Sequence, residues 1–213
     1  MNRCDDLVRL YTQLKTLQNS GVAVQPSQDI LRAAIVLSVA AFDAYATDCF
    51  CEKFVWYIQT HRVDDSIIKL LQKSGFDVSY ALDLIANASR PYRKLRTLIE
   101  RYYAKYTTQK LTAINGIFLQ YRLHNFTFDA ANRIVSITPG IRIKDPKRLL
   151  SSVEKIVNRR HIIVHDGDYN DHSRINEVTE ADLKRIGHIK LLVEGMDSII
   201  EDCSSRWRRI NPT

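Results

Sequence analysis

Cysteine is scarce in this chain and poorly spaced for chemistry. Cys4, Cys49, Cys51 and Cys203 include no C-x-x-C pair, and Cys49 and Cys51 stand two apart in a helical pattern, which sends the thiols to different faces. Neither a zinc site nor a disulfide framework is suggested. Glycine and proline are equally thin, seven and five in 213 residues. With no low-complexity run and no fixed-period repeat, long linkers and solenoids are disfavoured. There is no Gly-rich phosphate loop and no alternation of strand and helix patterns, which argues against ATP- or NAD-dependent chemistry on an α/β fold; no cofactor is expected. The longest apolar run, AAIVLSVAAF at 33–42, is about half of the roughly 20 residues a membrane-spanning helix requires. Asp43 closes it, and it reads as core, with no membrane partner. The opening segment MNRCDDLVRLYTQLK has acids where a signal peptide would have its apolar stretch, so a cytoplasmic location is expected.

What the chain has is an ordinary globular balance, 45% hydrophobic and 26% charged. At this length one core is expected, and the whole of 1–213 reads as a single domain. A net charge of +7, with a pI near 9.3, favours polyanionic partners.

The apolar periodicity is that of helices. Leu7, Leu10, Tyr11, Leu14 and Leu17 place a first helix over 3–18 before NSGVAVQPS breaks it. From about Ser27 to Gln59 the pattern predicts a long central helix whose early half is buried on nearly all sides. Asp64 can cap DSIIKLLQK, Gly75 can end it, and Pro91 can open PYRKLRTLIERYYAKY. Between about 110 and 143, FTFDAANRIVSITPGIRIK mixes β-branched stretches with Pro139 and Gly140, so a small hairpin or irregular insertion fits as well as a helix. Asp145-Pro146 is a helix start, followed by a buried stripe of Leu149, Leu150, Val153, Ile156 and Val157. Gly167 stands where a left-handed terminating residue is wanted. Thr179 and Asp182 resemble a capping box for a last helix ending near Arg208, with Ile189, Leu192, Val193, Met196, Ile199, Ile200, Cys203 and Trp207 as its core face. The fold class is all-α, a bundle of two long central helices with the 146–165 helix and its successor.

One stretch concentrates chemistry: VNRRHIIVHDGDYN, residues 157–170. His161 and His165 are four apart and share a helix face, whereas Arg160 is five from His165, about 140° around an ideal helix. Either the helix loosens before Gly167 so that His165 swings back, or a second copy of the motif completes the site across a two-fold axis. In the second case Ile162, Ile163 and Val164 would pack the interface. A histidine near a helix C-terminus is also accounted for by the dipole alone, and an arginine one turn earlier can simply cover terminal carbonyls. A second feature is Asp43 inside the apolar SVAAFDAYATDCF. A buried carboxylate is costly unless paired, so it calls for a cation, and an arginine of the motif is the natural candidate.

The Arg160, polar His161, three residues, His165 pattern on the penultimate long helix of an all-α chain resembles the HEPN superfamily, and more loosely its RiboL-PSP-HEPN branch. The resemblance spans the chain from the second helix to the last in outline and matches Asp43, Arg160, His161 and His165 as specific positions. It implies a metal-independent endoribonuclease, of the toxin or phage-defence kind, with its active site at a homodimer interface. Asp43, with Asp48 as substitute, would support the motif arginine, and an antitoxin or regulatory protein would be the controlling partner. Some HEPN toxins carry a tyrosine two residues after the motif histidine as a nucleotidylation target; here Gly167 stands there and Tyr169 comes later, so the resemblance does not extend to that regulation.

RNA carries its own nucleophile, the 2′-OH. A base, an acid and a cation on the phosphorane therefore suffice, and histidine and arginine supply all three. The segment RPYRKLRTLIERYYAKYTTQK interleaves Arg93, Lys94, Arg96, Arg101 and Lys105 with Tyr92, Tyr102, Tyr103 and Tyr106, groups that can meet phosphates and stack on the unpaired bases of a single-stranded or tRNA-like RNA. The same pattern also fits a solvated amphipathic helix with half-buried tyrosines, and the tail RWRRINPT is open to both readings. Two other functions stay in view: a catalytically inactive helical binding module, and a metal-dependent hydrolase using His161, His165, Asp166 and Asp168, which lacks a second helix with matching ligand spacing.

Overall fold

Local capping places several helix starts. Asp64 Oδ1 accepts from the N–H groups of Ser66 and Ile67 at 3.1 Å each, Asp77 Oδ1 from Tyr80 N–H at 2.7 Å, and Asp145 Oδ1 from Lys147 N–H at 2.9 Å with Pro146 in the first turn. Thr179 and Asp182 cap reciprocally: Asp182 Oδ2 accepts from Thr179 N–H at 3.0 Å, and Thr179 Oγ1 accepts from Asp182 N–H at 3.3 Å. Each satisfies donors that a helix start leaves orphaned.

The structure, a computed structural model, describes residues 2–21, 27–60, 63–106, 110–139, 143–169 and 175–210. Among them are nine α-helices: α1 Asn2–Asn19, α2 Gln28–Thr60, α3 Asp65–Lys73, α4 Val78–Asn87, α5 Pro91–Tyr103, α6 Leu111–Phe118, α7 Phe126–Ile137, α8 Pro146–His165 and α9 Glu180–Ile210, with a 3-10 turn at Leu119–Tyr121. No strand occurs among the described residues, only an isolated antiparallel bridge between Tyr169 and Ile175. The fold is all-α. The side chains of Cys4, Trp207 and the tail RWRRINPT lie outside the described part, as do residues 140–142.

The chain divides into two compact units, Met1–Phe42 with Phe128–Gly195, and Asp43–Thr127 with Met196–Thr213. In the first, Leu31, Ala34, Ile35, Val39 and Phe42 of α2, Ala130, Ala131 and Ile134 of α7, Leu149, Val153 and Ile156 of α8, and Ile186, Ile189 and Leu192 of α9 are buried. Gly195 lets α9 approach α7 closely, for a Cβ there would lie 2.2 Å from the carbonyl oxygen of Ala130. In the second, Phe50 stacks on Tyr121 at 4.8 Å between ring centroids and meets Tyr103 and Phe118 edge-on, while Tyr121 Oη donates to the Phe50 carbonyl.

Two expectations are corrected. The 126–137 part of the presumed hairpin or irregular insertion is α7: Phe126, Ala130, Ala131 and Ile134 recur at helical spacing and are buried, and that packing outweighs the strand preference of Ile134, Val135 and Ile137. The early half of α2 is not buried on nearly all sides. Ala33, Leu37 and Ala40, continued by Ala44, form an exposed strip, because alanine counts as apolar in a pattern yet loses little by exposure. By length and composition α2 is the one helix among the described residues able to cross a membrane, but its other face supplies buried core. In α1, Leu10 and Leu17 are exposed, and on α4 Val78, Leu82 and Ile85 are exposed as well.

Candidate functional site

The motif sits at the C-terminal end of α8, and its two arginines are put to different uses. Arg159 makes a two-pronged ion pair with Asp168: Nη1 meets Oδ1, and Nη2 donates to Oδ2 at 2.9 Å. Arg32, from the first turns of α2, donates through Nε to the same Oδ2 at 2.7 Å. Arg32 Nη2 donates to the Asn176 carbonyl at 2.6 Å, and Arg159 Nη2 reaches it at 3.3 Å. Asp168 is 1% exposed and both arginine side chains 13%, so this is a buried carboxylate held by two cations, the arrangement a buried charge requires.

The backbone forms the clamp. α8 ends at His165, and Gly167 and Asp168 follow with φ of +65° and +63°. Two consecutive left-handed residues turn the chain back on the helix: Asp168 N–H donates to the Ile162 carbonyl at 3.3 Å, and the Asp168 carbonyl accepts from Asn176 N–H at 2.7 Å. Glycine takes this conformation freely, and aspartate is among the few other residues that tolerate it. The segment leaving α8 is thereby tied to α2 and to the approach to α9, with Gln28 Oε1 accepting from Val178 N–H at 2.9 Å.

His165 stays in helical register, since Asp166 N–H donates to the Ile162 carbonyl at 2.9 Å. The helix does not loosen before Gly167, so the angular gap between Arg160 and His165 stands. His161 and His165 are both exposed, with ring centroids 4.4 Å apart. Arg160 is half-buried, and its Nε is buried with no hydrogen-bond partner; no ion pair joins it to a described residue. Val164 is exposed, and Ile162 and Ile163 are half-buried, so the apolar triplet is not consumed by the core. Asp43 lies half-buried on α2 and Asp48 is exposed. Among the described residues no three His, Cys, Asp or Glu side chains cluster to hold a metal ion, and both oxygens of Asp168 face arginines.

Residue pattern alone did not single out Asp168 as the anchor. A weak signal existed in Arg32, a cation at the entry to the apolar stretch of α2 whose local partner Asp29 is exposed and occupies only one edge of the guanidinium.

In the second unit, the basic segment divides. Arg93, Lys94 and Arg101, with Arg90, line a cavity of about 480 Å³. Lys94 is paired with Asp83 at 3.2 Å and Arg96 with Glu100 at 2.6 Å, while Arg93, Arg101 and Lys105 are exposed. Tyr102 is half-buried against Tyr103 and Tyr106, and Tyr92 and Tyr106 are the exposed rings. The buried Cys49 and Cys51 are free thiols, and burial pushes them up to about 11 and about 12, where they stay protonated and unreactive.

A family model described as RiboL-PSP-HEPN matches residues 2–204, nearly the whole chain. No curated protein matches, and no solved structure does.

Proposed function

The chain belongs to the RiboL-PSP-HEPN family, a HEPN-domain family, and since HEPN domains are often RNases we propose that it is a metal-independent endoribonuclease whose active site is completed by a second copy. The observation that carries this reading is the division of labour between the arginines. Arg159 is spent on Asp168, whereas Arg160 has a buried Nε without a partner, and the same helix end carries two exposed histidines in ring contact with each other. An arginine left without an ion-pair partner in a motif with two histidines suits a phosphate, which a guanidinium can hold through two parallel hydrogen bonds.

In this reading one imidazole removes the 2′-OH proton, the oxygen attacks phosphorus, and the P–O5′ bond breaks as a second imidazole gives its proton to the departing oxygen. A 2′,3′-cyclic phosphate and a 5′-OH result. Histidine suits both tasks because its ordinary pKa lies near neutrality. His165 of each copy supplies base and acid, His161 is the polar neighbour, and Arg160 stabilises the phosphorane. Because α8 is regular through His165, one helix cannot bring Arg160 and His165 together, and the exposed Val164 with half-buried Ile162 and Ile163 offers a surface for a two-fold partner. Asp43 is assigned support of Arg160, and Arg93, Lys94, Arg96, Arg101, Lys105 and Tyr102 the capture of single-stranded or tRNA-like RNA. A toxin or phage-defence role, held in check by an antitoxin or regulatory protein, is the biological setting the family suggests.

The test is cleavage of a defined RNA panel by the purified protein in EDTA, with His165→Ala purified alongside and the oligomeric state read by light scattering. Chelator-resistant cutting lost in His165→Ala supports the reading. Cutting that requires a divalent ion, or that persists in the variant, sinks it, and RNA binding with no cutting at all leaves the inactive binding module. Asp43→Asn with full activity would remove Asp43 from the site.

A further inference from the structure

A second cluster on α8 lies away from the motif. Lys147, Arg148, Ser151, Ser152 and Lys155, with Arg185 of α9, line a cavity of about 330 Å³. Four of these six are cations and two carry hydroxyl groups; no carboxylate lines the cavity among the described residues. Arg185 is held by the buried Asp182, Nη1 to Oδ1 at 2.6 Å, so one guanidinium is fixed in place. Arg148 meets Asp145 only at 3.9 Å, between largely exposed side chains. Ser152 Oγ and His188 Nδ1 share a hydrogen bond of 2.6 Å, which orients the hydroxyl. Burial, then the Arg185 charge, pushes His188 down, so at neutral pH the imidazole adds no further positive charge. Lys147, Arg148 and Lys155, beside the Asp182-paired Arg185, leave an excess of positive charge around one small cavity, and an anion with several acceptor oxygens relieves their repulsion.

The geometry of α8 connects this cavity to the motif. Lys147 and His165 are five whole helical turns apart and therefore face the same way, about 27 Å along the axis, with Lys155 about 15 Å from His165. Lys147, Ser151, Lys155, Asn158, His161 and His165 are all exposed, and Glu154 is the one acid in the helix. An extended strand with its scissile phosphate at His165 can follow this strip and set a later phosphate among the cations.

We propose that the cavity of Lys147, Arg148, Ser151, Ser152, Lys155 and Arg185 is a phosphate-binding subsite that takes a backbone phosphate of the RNA strand cut at the motif. The phosphate site stands on the cavity; its assignment to RNA rests on the ribonuclease reading.

The test uses full-length His165→Ala protein and a single-stranded 2′-O-methyl oligonucleotide, which cannot be cut, with affinity read by fluorescence anisotropy across a salt series. Adding Arg148→Gln and Lys155→Gln together should weaken binding about tenfold at low salt and flatten the slope of log affinity on log salt by about 1.4, at roughly 0.7 per lost contact. Because both side chains are exposed, the variant should melt no lower than its parent, which separates a lost site from a lost fold. Unchanged affinity and slope overturn the proposal even if the wild-type protein proves to be a nuclease. Weakened binding in a protein that never cuts RNA would instead remove the ribonuclease reading and keep the subsite. A second arm titrates inorganic phosphate while following the histidine ring resonances by NMR: phosphate that moves His188 in a protein whose oligonucleotide affinity ignores both substitutions would name a free phosphate as the ligand and overturn the RNA assignment.

Discussion

Asp168→Asn separates the charge of the Arg32–Asp168–Arg159 clamp from its shape. Asparagine has the same outline and tolerates a φ of +63°, so the turn after α8 can survive while the negative charge does not. Two guanidiniums, each 13% exposed, would then face one another, Arg32 keeping the exposed Asp29 at 3.0 Å and Arg159 only the carbonyls of Asn176 and Glu177. Breaking a buried pair by removing one partner costs about 3–5 kcal/mol, a large part of the roughly 5–15 kcal/mol that holds a typical domain together. For a chain of this size each kcal/mol moves Tm by about 2–4 °C, so a fall of roughly 6–20 °C is expected by calorimetry, with a matching loss in urea. Arg159→Ala should behave similarly, since it leaves Asp168 with Arg32 alone. Arg160→Ala should cost little stability, about 1 kcal/mol or less, because the Nε it removes has no partner. On a cleavable RNA the order reverses: folded Arg159→Ala retains cutting, and Arg160→Ala loses at least about 10²-fold, the usual effect of removing a group that stabilises transition-state charge. If Asp168→Asn melts within a degree or two of wild type, or if folded Arg159→Ala is inactive while Arg160→Ala cuts normally, the assignment of anchor and phosphate ligand is wrong.

Gly195→Ala should destabilise by about 1–3 kcal/mol in urea titration, because the new methyl would sit 2.2 Å from the Ala130 carbonyl; a gain, as helix propensity alone predicts, would show that α7 and α9 do not pack so closely. His188 has a lowered pKa in the fold, so its neutral form is favoured. The stability it contributes is complete above the unfolded value of about 6.5 and lost as pH falls through the lowered folded value. Urea midpoints of His188→Asn should therefore decline less steeply from pH 7.5 to pH 5 than those of wild type, and identical slopes would refute this. Arg93→Gln with Arg101→Gln should weaken RNA binding at low salt and flatten its salt dependence while single-turnover cleavage at saturating RNA survives; unchanged affinity returns the α5 segment to a solvated face.

The local devices of this chain were legible without a structure. Asp64, Asp145-Pro146, Gly167 and the Thr179/Asp182 box act on backbone groups within three or four residues, so residue type and spacing suffice to identify them. The long apolar periodicities that became α2, α8 and α9 were legible for the same reason, and the Arg160–His161–His165 pattern with them. α7 was ambiguous because its β-branched residues are locally neutral between helix and strand, and the burial of Ala130 and Ala131 decided it. The exposed strip on α2 was hidden because alanine reads alike on either side of a helix. Above all, spacing pointed to Arg160 as the motif arginine but could not say what its neighbour Arg159 binds. Adjacent arginines on one helix differ by about 100° of rotation, and only the return of Asp168 through two left-handed residues, meeting an Arg32 that is 136 positions away in the chain, determines which is bound into the fold and which is left with its Nε unpaired.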